Sequence, residues 1–130
     1  MLESLPLYLM FLGTAVGLMA AAMAAYILIT PHREIALIRD GNIAAAVSFG
    51  GTAIGMAIVL FSTASGTFNV VELLIWGGIG LVGQLLVYAL VAVMIPGLSK
   101  GLTEGRTSYG VLLGTMSIAM GILNAGALSS

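Results

Sequence analysis

Four apolar runs, each long enough to cross a bilayer, take up almost all of this 130-residue chain. The first, Leu5 to Ile29, contains no charged residue. At ~1.5 Å per residue it reaches about 37 Å, against roughly 30 Å of hydrocarbon. The others cover about 43–62, 70–95 and 109–128. In lipid every backbone N–H and C=O must be satisfied inside its own segment, so such runs fold as helices. The expected fold is therefore an all-α integral membrane protein, a single membrane domain over residues 1–130 with four transmembrane helices. With 60% hydrophobic and 7% charged residues, the polar side chains cannot cover a water-soluble domain of this size. The lipid bilayer is the first partner.

The same composition narrows the chemistry. One His and no Cys give no material for a thiolate or a Cys/His metal set, and a net charge of -1 gives no basic footprint for nucleic acid. No nucleophile can be paired with a base. The expectation is a protein that is not an enzyme, with no catalytic residue, cofactor or metal. A cleaved leader is the competing reading of the first run, since Ala20 to Ala25 is rich in small residues. Only Glu3 is charged ahead of it, however, where a leader wants positive charge. Gly13, Gly17, Ala20 and Ala24 also line one helix face, as a permanent span would use them.

Between the first two runs lies a charged turn. Pro31 suits a first helical position, Thr30 the cap before it, and Glu34 and Arg39 complement the dipole of a short helix. Ile35, Leu37 and Ile38 face lipid or the bundle while Arg33, Glu34, Arg39 and Asp40 reach water, which describes an interfacial helix. Gly41 ends it or kinks it into the next span, and Asn42 is placed to cap that span.

Small residues mark where helices meet. The second run has a seam at Ala46, Gly50, Ala53 and Ala57, with a G-x-x-x-G notch at Gly51 and Gly55 beside it. The fourth has Gly110, Gly114, Ser117, Gly121 and Asn124, and Gly77 serves the third. In lipid, close packing over such residues brings helices together. Ser48, Thr52, Ser62 and Thr63 are expected to bond back to their own helix carbonyls, or across to a neighbour. Glu72 sits at the start of the third run with Trp76 one turn deeper, at the interface. Gln84 lies too deep to face lipid and must point inward. Asn124 closes the seam of the fourth run. Pro96 stops the third run, and Lys100, Glu104 and Arg106 occupy the loop after it, where Gly105 and Thr107 repeat the joint of glycine and cap.

A shift of 64 positions lays Gly41 on Gly105, Ala46 on Gly110, Gly50 on Gly114 and Ala57 on Gly121. This describes two pseudo-repeats, about 1–64 and 65–130. Each holds two spans, so the copies run parallel, related by an axis along the membrane normal. All four Lys and Arg fall in the two charged loops, 30–42 and 96–107, which the positive-inside rule makes cytoplasmic, with both termini outside.

The run T-P-x-x-E-x-x-L-I-x-x-G-N-x-A-A-A from Thr30 to Ala46, the W-G-G at Trp76 followed by Gln84, the P-x-L from Pro96 and the G-I-L-N-A from Gly121 resemble the YjfL-like bacterial inner-membrane proteins. The resemblance extends over essentially the whole chain. It implies a multi-pass protein of the bacterial inner membrane, built of two tandem copies of a domain of unknown function, and implies no activity. The family-like residues are Pro31, Glu34, Gly41, Asn42, Trp76, Gln84, Pro96 and Asn124. The second copy lacks a counterpart of Glu34.

Glu34, Asn42, Glu72, Gln84 and Asn124 are thus the candidate functional or inter-helix polar residues. The expected function is a structural or assembly subunit that forms homo-oligomers through small-residue faces and docks a cytoplasmic or membrane protein partner on its loops. The alternative is an oligomeric pore or transporter subunit with a polar path at Gln84 and Asn124.

Overall fold

The computed structural model describes residues 5–30, 34–66 and 70–129. Pro31 and Arg33, residues 67–69, and Glu3, Ser4 and Ser130 lie outside the described residues. Six helices follow in order: α1 Leu5–Ile29, α2 Glu34–Arg39, α3 Ile43–Gly66, α4 Val70–Met94, α5 Leu98–Thr103 and α6 Thr107–Ser129. Four of them, α1, α3, α4 and α6, are long and apolar enough to cross a membrane. α3 runs to Gly66, past the end of the apolar run, since Thr63 stays helical by donating its hydroxyl to the Val59 carbonyl at 3.0 Å.

Two short helices form the corners at one end of the bundle, where sequence reading had placed one. α5 occupies what read as a loop around Lys100. The corners share one hydrogen-bond pattern. After α2, Asn42 N–H donates to Leu37 O at 2.9 Å and Gly41 N–H to Ile38 O at 3.0 Å. After α5, Arg106 N–H donates to Gly101 O at 2.9 Å and Gly105 N–H to Leu102 O at 3.1 Å. This is the Schellman arrangement, and it requires a left-handed residue at the position of the two glycines, whose φ values are 87° and 83°. Gly41 therefore breaks the chain between α2 and α3 and does not merely kink it. Thr107 is the first residue of α6, not the cap before it.

α3 is the central helix. It packs most extensively on α6, then on α4, while α1 leans on α4 and α3 from outside. Only 11% of the most apolar stretch of α1 is buried within the chain, against 50% for α3. One apolar cluster joins Ala44 of α3, Val87 and Val91 of α4, Leu98 and Leu102 of α5 and Leu113 of α6. A second joins Ala22 and Met23 of α1 to Met56 and Leu60 of α3 and Leu73 of α4.

The α3–α6 contact is backbone on backbone. A Cβ on Gly51 would land on the Gly114 backbone, one on Gly110 on Ala44, and one on Gly121 on Gly55. Gly77 and Gly80 of α4 instead lie against the side chains of Leu60 and Val59, which brings α4 against α3. The seam expected at Ala46, Gly50, Ala53 and Ala57 does not make this contact: Ala46 and Ala57 are exposed, and Gly50 has open space where a side chain would go. The G-x-x-x-G notch of Gly51 and Gly55 is the working face. Both stripes are small enough for close approach, and the shape of α6 decides between them.

Candidate functional site

The polar residues gather at the corner end and in the half of the bundle above it. Asn42 joins the two corners. Its Oδ1 accepts the Ala45 N–H at 2.9 Å, capping α3, and its Nδ2 donates to Leu102 O at 2.7 Å and to Thr103 O at 3.3 Å on α5. One side chain thereby satisfies an orphan donor of one helix and orphan carbonyls of another. A groove of about 400 Å³ opens between the corners, bordered by Asp40, Asn42, Glu104 and Thr107.

Glu34 departs from expectation. The sequence pattern turns it to water, and the structure buries it fully at the start of α2, with 0% exposure. Thr30 directly follows the last residue of α1, and residues 31–33, whose amides it is expected to cap, lie outside the described residues. The Thr30 hydroxyl donates back to Tyr26 O of α1 at 2.8 Å and lies 3.3 Å from Glu34 Oε1. Tyr26, Thr30 and Glu34 follow one another in steps of four residues. The carboxylate is within electrostatic reach of the hydroxyls of Tyr26 on α1 and Tyr88 on α4, and Tyr88 is paired with Ser99 of α5.

Deeper in, Ser48 and Thr52 bond back along α3, to Ala45 O at 3.1 Å and Ser48 O at 3.0 Å. Thr52 Oγ1 also lies 3.3 Å from Ser117 Oγ on α6. Gln84 points inward with 0% exposure, and its Nε2 donates to Ser117 O at 3.1 Å, tying α4 to α6. Its position beside Gly55 depends on that glycine, because a Cβ there would come within 2.8 Å of the amide nitrogen.

The remaining candidates stand apart. Glu72 is exposed near the far end of α4, with Trp76 partly exposed one turn on. Asn124 is half-buried with its Nδ2 toward Gly83, a neighbour of Gln84 in sequence, while Gln84 itself bonds to Ser117. Nothing in the sequence points to Tyr26, Tyr88 or Ser99 as members of this cluster, since an apolar run gives no sign of which tyrosine turns inward.

The family model for the Domain of Unknown Function DUF350 matches residues 1–128. The chain is 37% identical over 128 residues to the UPF0719 inner membrane protein YjfL of Escherichia coli K12, covering 98% of this chain and 97% of the relative. The YjfL protein of Escherichia coli O157:H7 matches to the same extent. No solved structure matches. With four spans in the fold, these likenesses make the chain a multi-pass protein of the inner membrane.

Proposed function

The chain belongs to the DUF350 family, and we propose that it is a structural or assembly subunit of the inner membrane with no catalytic activity of its own. The observation that carries this reading is the outward face of α1. Gly13, Gly17, Ala20 and Ala24 are all exposed, and a side chain at Gly13 or Gly17 would meet nothing within 4 Å. Helices associate in lipid by close packing over small residues. The α3–α6 seam is already filled inside the chain, so self-association passes to α1 and a second copy of it.

Since the chain has no Cys, a single introduced thiol reports without background. Gly17→Cys, oxidised in native membranes, is expected to give a covalent dimer, whereas Cys at Ile122 on the exposed side of α6 is not. Absence of dimer from thiols at Gly13, Gly17, Ala20 and Ala24 alike would remove the proposed interface.

The corner end is the proposed docking side for a protein partner, through the groove beside Asp40 and Glu104. By the distribution of Lys and Arg, loops 30–42 and 96–107 are cytoplasmic and both termini outside. Exposed Lys100 reports on the corner side. A thiol at Lys100 should escape an impermeant reagent in intact cells while thiols at Ser4 and Ser130 react; the reverse pattern overturns the orientation.

A further inference from the structure

Among the described residues, the Tyr26 hydroxyl and the Gln84 amide oxygen are deeply buried and close no hydrogen bond within the protein. Their residues are 1% and 0% exposed. Both adjoin one run of hydroxyls. The Tyr26 hydroxyl is turned toward Thr52 without closing a hydrogen bond of normal geometry, Thr52 Oγ1 lies 3.3 Å from Ser117 Oγ, and Ser117 O receives the Gln84 amide. Buried Glu34 stands at the corner end of this run, near enough to Tyr26 to act on it electrostatically. Five helices thus converge on one polar column inside an otherwise apolar bundle.

An unmet polar atom is unfavourable in a bilayer, where no bulk water can satisfy it. Two of them along a single column, with a carboxylate at its head, mark a place that a small ligand completes. The chemistry of the column selects that ligand. Every side-chain group except the Gln84 nitrogen offers oxygen: a carboxylate, three hydroxyls and an amide carbonyl. Hard oxygen donors take hard cations. A divalent ion wants several carboxylates, and the described residues contain no group of three His, Cys, Asp or Glu that could hold one. We propose that the column is a binding site for a small monovalent cation of the sodium type, entered from the Glu34 end, with Tyr26, Thr52 and Gln84 supplying neutral oxygens. The site is independent of the assembly reading and stands without it.

The test uses the full chain in lipid nanodiscs, with thermal unfolding followed by the fluorescence of its one Trp, Trp76. Sodium chloride is exchanged for N-methylglucamine chloride at constant ionic strength. A cation that binds only the folded state raises the unfolding midpoint in a saturable way. The expected result is such a rise with sodium, abolished in Glu34→Gln and displaced to about tenfold higher sodium in Tyr26→Phe, as loss of one ligand worth about 1.4 kcal/mol would give. Tyr26→Phe removes a hydroxyl that closes no hydrogen bond of normal geometry and keeps the buried ring, so it folds even where Glu34→Gln does not. Equal midpoints in the two salts overturn the proposal. So does a sodium dependence that Tyr26→Phe leaves unchanged.

Discussion

Gly114→Leu should leave little or no folded protein in the membrane. A Cβ on Gly114 already meets the Val47 carbonyl oxygen at 2.6 Å and lies 3.5 Å from Ser48 Cα. These are backbone atoms, which cannot rotate aside as a side-chain tip does, so α6 must move off α3. Ordinary overpacking costs about 1–3 kcal/mol. Here the displacement also opens the Gly51 and Gly110 contacts and separates Gln84 from Ser117, so the expected loss lies at or beyond the top of that range. The check is the amount of monodisperse protein recovered in mild detergent. Gly50→Leu is the control, since open space surrounds that glycine, and it should be recovered near the parent level. Equal recovery of both variants would contradict the assignment of the inner face of α3.

Asn42→Ala should destabilise by about 2 kcal/mol, the second largest effect expected of a single side chain. About 1 kcal/mol comes from the lost cap on Ala45 N–H, and about 1 kcal/mol from the hydrogen bond to Leu102 O. Asn42→Ser separates the two, because serine keeps a capping oxygen and cannot reach α5. It should recover roughly half of the loss. Thermal unfolding of the three proteins in one detergent measures both differences. A serine variant as stable as the parent would mean that the link between the corners contributes nothing.

Much of this fold was legible before any coordinates, and the physics explains which parts. The spans could be read because lipid leaves the backbone no alternative to a helix over a charge-free run. The joint at Gly41 and Asn42 could be read because few residues tolerate a left-handed corner and few cap a helix. The face that α3 turns to α6 could not. Ala44, Ala45, Ala46, Gly50, Gly51, Ala53, Gly55 and Ala57 ring that helix with small residues, and only the complementary shape of Gly110, Gly114 and Gly121 picks out one side. α5 was hidden for a related reason. Its six residues, LSKGLT, contain a glycine and follow Pro96 and Gly97, which reads as a turn. It is helical because Leu98 and Leu102 are buried against α4 and α6.

The polar site divides the same way. Gln84 was placed inside because depth alone forbids an amide to face lipid. Glu34 was placed in water because a carboxylate near a membrane surface ordinarily is. It is buried instead, with the Thr30 hydroxyl 3.3 Å from its Oε1, a contact that the polarity of the residue does not report.

The central claim is that the glycine seam between α3 and α6 belongs within one chain, leaving α1 for association. Spin labels at Ile54 and Ile122 flank the Gly55–Gly121 contact, and both positions are exposed enough to carry them. Their separation, measured by pulsed electron paramagnetic resonance in nanodiscs, should be short and should keep its full amplitude when doubly labelled protein is diluted with excess unlabelled protein. A short distance that fades on dilution would place the seam between two chains and contradict the account.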